Sequence, residues 1–195
     1  MTNTRPTIFR FDDLSPTPWP NGRGITRDVA SRISSDGSRD WHISIAELVE
    51  DAAFSHYEGC DRILTLVGEN PIDLHIDEGA ALRCHPLRPA HCPGDRPTRC
   101  TLAGGPSRAF NLIVDRARVR GAVSTIAMAS HHEVAVPHDA VAIHCAAGTV
   151  TAQGETLRAG DTLLKPQDRT LRTRETSATL LVVELWKGIG GSPPT

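Results

Sequence analysis

Apolar and polar positions alternate in short runs along most of this chain. The runs Ile43-Ser44-Ile45-Ala46, Leu64-Thr65-Leu66-Val67, Leu74-His75-Ile76 and Val134-Ala135-Val136 show the pattern, and Val141-Ala142-Ile143-His144, Leu163-Leu164 and the stretch from Leu180 to Leu185 continue it. A period of two sends successive side chains to opposite faces of a strand, so each run predicts a β-strand. Turn formers punctuate the runs at Asn21-Gly22, Glu58-Gly59, Asp77-Glu78-Gly79, Pro93-Gly94-Asp95, Gly104-Gly105-Pro106, Ala147-Gly148 and Ala159-Gly160-Asp161. Short strands at this spacing predict an all-β sandwich or barrel. No window carries an apolar stripe of period 3.6 over three turns, and the best helix candidate is the stretch from Arg23 to Ser31.

A composition shift near Arg116 to Ala122 divides the chain. Before it lie all four Phe, the single Tyr and two of the three Trp; after it the strands are aliphatic. The pattern predicts two β units, residues 1–120 with the unusual side chains and residues 121–195 as a structural partner. At 195 residues the chain can bury a sizeable core, and 39% hydrophobic and 23% charged residues are ordinary for a globular protein. A formal net charge of -2 offers no basic stripe for nucleic acid. No apolar run approaches the roughly 20 residues that cross a bilayer, and Met1 to Pro6 lack the apolar stretch of a signal peptide, so a cytoplasmic location is expected. Five cysteines, Cys60, Cys84, Cys92, Cys100 and Cys145, follow no framework spacing and read as free thiols.

The later half holds Gly148 to Glu155, a hairpin pattern, then Gly160-Asp161-Thr162-Leu163-Leu164-Lys165-Pro166, which resembles the Gly-Asp turn of cupin barrels. Gly supplies the positive φ and Asp caps the turn with its carboxylate. Gln167, Asp168 and Thr170 stand where a metal cupin would supply His. In the earlier half, Ser55 to Gly68 resembles the other cupin motif, two His separated by one residue, then a Glu, then a Gly. Counting back from Gly68, the His slots fall on Ser55 and Tyr57 and the carboxylate slot on Asp61. In the alternative register, His56 and Glu58 fill the slots but Arg62 follows. Transition metals want imidazole and carboxylate converging on one point, so no metal and no other cofactor is expected in either register. Cys84-His85, His91-Cys92 and Cys100 have zinc-binding side chains, but adjacent pairs among four prolines do not match structural zinc spacing. His131, His132 and His138 read as solvated loop residues, and no Gly-x-Ser-x-Gly nucleophile elbow is present.

Four ordered blocks resemble the HutD/Ves family: Trp19-Pro20-Asn21-Gly22-Arg23-Gly24-Ile25-Thr26, Trp41-His42-Ile43-Ser44-Ile45-Ala46, Phe54-Ser55 with Tyr57, Gly59, Asp61, Arg62 and Gly68, and Gly94-Asp95 followed by Gly105 to Asn111. The resemblance spans roughly residues 8 to 187 and implies a bicupin, two cupin-like barrels in one chain, often dimeric and without a catalytic metal. It further implies an association with histidine utilisation or stress response, with formylglutamate-like ligands in some members and no established catalytic residues. Departures from the family pattern stand at Cys92, Ala109 and His42.

From the residues themselves, Arg62 lies in an otherwise apolar strand. A guanidinium turned inward is costly without an anionic partner, and a ligand carboxylate held by the Arg fork is one such partner. Tyr57, Ser55, Ser44 and Asn111 are candidate neutral hydrogen-bonding groups, Trp41 or Phe54 a candidate apolar wall, and Asn21 belongs to a loop expected to close over the mouth. The competing reading pairs Arg62 with Asp61, Glu47 or Glu58 as a structural ion pair. The expected function is therefore a metal-free binder of a small acidic metabolite, leaning away from catalysis. Its alternatives are a metal-dependent cupin isomerase or dioxygenase and a purely structural dimerisation module.

Overall fold

The computed structural model describes residues 7–187; Met1 to Pro6, read above for a signal peptide, and residues 188–195 lie outside the described residues. In chain order the strands are β1 (Thr7–Phe9), β2 (Pro16–Pro18), β3 (Gly24–Ile33), β4 (Arg39–Leu48), β5 (Ala52–Ala53) and β6 (Cys60–Leu66). They continue with β7 (Ile72–Ile76), β8 (Leu82–Cys84), β9 (Ala90–Pro93), β10 (Thr98–Leu102), β11 (Ser107–Asp115) and β12 (Val119–Met128). The last are β13 (Glu133–Ala135), β14 (Ala140–Ala152), β15 (Glu155–Arg158), β16 (Thr162–Leu164), β17 (Thr170–Arg172) and β18 (Ala178–Lys187). Among the described residues the one helical element is a 3₁₀ turn at Phe11–Asp13, and no helix is long and apolar enough to cross a membrane.

The helix candidate between Arg23 and Ser31 is strand β3. Ile25 and Val29, four apart, mimic a helical stripe, but β-branched Ile25, Thr26 and Val29 suit a strand and the segment forms a long antiparallel ladder with β4. A β-bulge at Val29 shifts the register between Asp28 and Ala30.

Contacts divide the chain into two units. The first runs from Ser15 to Gly121 and is built of a six-stranded sheet, β2-β3-β4-β11-β6-β9, and a four-stranded sheet, β5-β10-β7-β8. Leu64, Leu66, Ala46 and Ala109 of the larger sheet meet Ile72, Leu74, Cys84 and Cys100 of the smaller in one buried cluster. The second unit runs from Ala122 to Trp186 around the long strand β14, which pairs with β15, β16, β17 and β18. It also takes in the stretch from Thr7 to Leu14, which the composition shift had assigned to the first unit. The reason is a ladder: β1 adds to the edge of β16, with Ile8 opposite Leu163 and Phe9 opposite Thr162.

The Gly-Asp turn works as its composition suggests and does more. Gly160 lies at φ +99°, and a Cβ there would meet Phe11 Cβ at 2.8 Å. The Asp161 carboxylate accepts the Arg158 N–H at 3.0 Å, closing the turn, and the Phe11 N–H at 3.2 Å, while Arg10 Nη1 donates to it at 2.7 Å.

Candidate functional site

A cavity opens in the first unit on one face of the six-stranded sheet, and strand parity decides what lines it. Along β11 the alternate residues Ala109, Asn111 and Ile113 face it; opposite Asn111 and Ala109 stand Ser44 and Ala46 of β4, and opposite Ile113 stands Arg62 of β6. The polar lining consists of Arg62, Asn111, Ser44, Ser55, Tyr57 and Thr26. Trp19, Phe54, Leu48 and Ile113 form apolar walls. The space, counted with its mouth and the open solvent there, is about 400 Å³.

Arg62 dominates the chemistry. It is 7% exposed, its Nη2 donates to the Ser55 carbonyl at 3.0 Å, and its guanidinium carbon stacks 4.6 Å from the Phe54 ring centre and 5.4 Å from that of Tyr57. The segment from Phe54 to Tyr57 that supplies these partners is held at both ends. Phe54 N–H donates to Thr98 O of β10 at 2.9 Å and Tyr57 N–H to Gly94 O at 2.8 Å. Burial pulls the guanidinium below its ordinary pKa; two aromatic faces offset part of that cost.

No carboxylate pairs with Arg62 among the described residues, and each acid considered for the role is engaged elsewhere. Asp61 accepts from Arg116 Nε at 2.9 Å and lies 3.4 Å from Arg120 Nη1. Glu47 pairs with Arg27, and Glu58 with His56 at 3.0 Å on the exposed surface. Arg116 is the clamp behind this arrangement. It also holds Asp95 through two hydrogen bonds at 2.5 and 3.0 Å and donates to Cys60 O at 2.6 Å, and the Arg116 hydrogen bond keeps the Asp95 carboxyl below its ordinary range. The structural ion-pair reading of Arg62 is thereby corrected: β6 turns Asp61 to the opposite face.

Asn111 is 6% exposed. Its Nδ2 lies 3.4 Å from the Ala109 carbonyl, and its Oδ1 has no hydrogen-bond partner among the described residues. The amide nitrogen, the donor, is the atom turned toward that carbonyl. His42, on the same face of β4 but outside the cavity lining, binds Asp28 at 2.8 Å through Nε2 and leaves Nδ1 without a partner. Burial lowers its pKa, against the pull of Asp28.

Of the residues read as candidate ligand contacts, Arg62, Tyr57, Ser55, Ser44 and Asn111 come together here, and two do not. Trp41 shares the face of Ile43 and Ile45, opposite Ser44, so alternation turns it away from the cavity. Asn21 closes a turn, accepting the Arg23 N–H at 3.0 Å, and is exposed. Phe54, the other candidate wall, does line the cavity, and beside it stands Trp19, which was not among the candidate contacts. The Trp19 indole donates from Nε1 to Thr26 Oγ1 at 2.8 Å and lies edge-on to Phe54, ring centres 6.3 Å apart. Gly24 makes room for it: a Cβ there would come within 2.9 Å of the indole and 2.8 Å of Glu47 O. Gly24→Ala is expected to displace the indole and cost about 2 kcal/mol by overpacking. A shifted Trp19 indole N–H resonance and a lower urea midpoint would register both effects; an unmoved resonance would refute the first.

Cupin barrels commonly hold a transition metal, and the donor set here does not fit one. The cavity is lined by hydroxyls, an amide and a guanidinium, with neither imidazole nor carboxylate, and the fixed positive charge repels a cation. Among the described residues no group of three His, Cys, Asp or Glu side chains converges. Cys84, Cys92 and Cys100 are buried in the core with raised pKa values, those of Cys84 and Cys100 pushed up by desolvation to about 11 and about 12.

A cupin-type barrel with a buried guanidinium lining a small cavity is the class that this geometry defines. Solved structures agree on the fold. HutD from Pseudomonas fluorescens SBW25 (formate condition) superposes with a TM-score of 0.77 at 24% identity, covering 94% of this chain and 99% of that one. A cupin 2 conserved barrel domain protein from Leptotrichia buccalis gives 0.59 at 8% identity, covering 92% and 96%. The HutD family model matches residues 12–183, and the chain belongs to the HutD family. It is 32% identical over 115 residues to an uncharacterised 21.2 kDa protein in the hutC 3′ region of Pseudomonas putida, covering 58% of this chain and 60% of that protein. It is 34% identical over 124 residues to protein Ves of Cronobacter sakazakii, covering 59% of this chain and 65% of that one. The matches thus span about three fifths of the length of these relatives.

Proposed function

We propose that this protein binds a small organic acid in its first unit, with Arg62 as the carboxylate anchor, and serves regulation of histidine or amino-acid catabolism rather than catalysis. The observation that carries the reading is a buried guanidinium, set over the rings of Phe54 and Tyr57, with Asp61, Glu47 and Glu58 each committed to another arginine or to His56. A buried cation in that position is stabilised by an anion from outside, and the planar fork favours a carboxylate. The link to histidine utilisation is supported by the name of the Pseudomonas putida relative and by the family. It makes a formylglutamate-like acid the first ligand to try.

The test is a thermal-shift screen with the acids of histidine degradation, alongside elemental analysis of protein purified without chelator. A ligand present at 100 times its dissociation constant adds about 2.7 kcal/mol of stability. A flat screen together with a stoichiometric transition metal would overturn the proposal in favour of a metal-dependent enzyme.

A further inference from the structure

Resting on Arg62 as the acid anchor, we infer that His42 is a proton-linked switch on that site: an acid held by Arg62 draws a proton onto His42, and affinity climbs as the solution turns mildly acidic. Register supplies the geometry. Across the six-stranded sheet Ser31, His42, Ile113, Arg62 and Cys92 stand opposite one another on β3, β4, β11, β6 and β9. Residues paired in this way share a face, and Arg62 and Ile113 place that face on the cavity. Only Ile113 separates His42 from Arg62 in the row, and two strand spacings put their backbones about 10 Å apart.

His42 is 6% exposed. The Asp28 carboxylate only accepts, so the Nε2 that faces it at 2.8 Å carries the hydrogen. Nδ1, without a partner among the described residues, is the atom left to be protonated. Asp28 is itself 69% exposed and keeps its end of the pair in contact with water. The other acids around the ring are compensated. Asp40, two residues earlier on β4, is held by Ser34, Arg32 and Arg118, and Asp115, two residues beyond Ile113, by Arg118. Burial first, and Arg39 after it, oppose the second proton against the pull of Asp28. Burial also pushes the Cys60 and Cys92 thiols up, away from the acidic range, and Tyr57 reaches the row as a ring over Arg62. With the site empty, the Arg62 charge disfavours a second cation in the same row. A bound carboxylate cancels that charge. The pKa of His42 is then higher in the complex than in the free protein, and by linkage binding tightens as pH falls.

The probe is formate, the smallest carboxylate, which stays ionised between about pH 5.5 and about pH 8. Its dissociation constant is read by NMR from the Trp19 indole N–H in the cavity wall, at constant ionic strength. The wild-type protein is expected to bind formate about fivefold more tightly at the acid end. Saturating formate should raise the midpoint of the His42 imidazole titration by about 0.7 pH units, the same fold-change on a logarithmic scale. His42→Gln, which keeps a donor for Asp28, should bind formate with one affinity throughout. His56→Gln removes the imidazole next to Ser55 and Tyr57 and should keep the full dependence. A flat wild-type profile, an unmoved His42 midpoint, a dependence that survives in His42→Gln or one that vanishes in His56→Gln would overturn this inference. If Arg62→Ala still loses formate in those cases, the anchor reading stands. Should His42→Gln fail to fold, the imidazole titration of the wild type decides. Formate that binds the wild type at no pH would sink the anchor and this inference together.

Discussion

Arg62→Ala is expected to lose the whole of the stabilisation that an acid ligand confers, about 2.7 kcal/mol at 100 times the dissociation constant, while the free protein keeps its fold. The free protein should melt within about 3 °C of the wild type, because two opposing effects nearly cancel. Removing the side chain forfeits stacking on Phe54 and Tyr57, worth about 2 kcal/mol for a desolvated cation, and leaves a void. It also relieves the desolvation of a cation whose one hydrogen bond among the described residues is to the Ser55 carbonyl, a penalty of several kcal/mol. A structural ion pair behaves differently: truncating one partner strands the other and costs about 3–5 kcal/mol. Thermal melts of both proteins with and without acid separate the cases. A variant that unfolds at ambient temperature would count decisively against the anchor.

Asp161→Ala is expected to destabilise the protein by about 3 kcal/mol, measured as a lower urea midpoint in the absence of ligand. The carboxylate is nearly buried and satisfies two backbone N–H groups and one guanidinium. Its loss removes the acceptor that the Arg158 and Phe11 N–H groups use, at about 1 kcal/mol each, and a charge-assisted bond from Arg10. Asp161→Asn keeps an acceptor for the backbone and should recover roughly half of the loss. A change below about 1 kcal/mol in the alanine variant would show that water replaces the carboxylate at no cost.

The strands were legible because their alternation is written in residue type: Ile43 and Ile45 against Ser44 and Ala46, Ile63 and Thr65 against Leu64 and Leu66. What alternation does not tell is which face borders a cavity. In β4 both faces are buried, and the polar one, with His42 and Ser44, points inward. Strict parity would have excluded Trp41, which shares the face of Ile43. Trp19 escaped because a loop aromatic has no periodicity; the nearest signal was Gly24, whose missing Cβ makes space for the ring. The partnership of Arg62 was illegible for another reason. It depends on Arg116, 54 positions away in the chain, drawing Asp61 aside. Such long-range competition among charges leaves no local trace.

The pairing of β1 with β16 also has a consequence for how the molecule is made. Strands β2 to β11 emerge from the ribosome as a continuous block and can close their two sheets during synthesis. Thr7–Phe9 must wait, already translated, until Thr162–Leu164 has appeared some 150 residues later. The first of the described strands to be translated is therefore among the last to find its place, and a bulky insertion just before it would burden the later-forming unit rather than the one that carries Arg62.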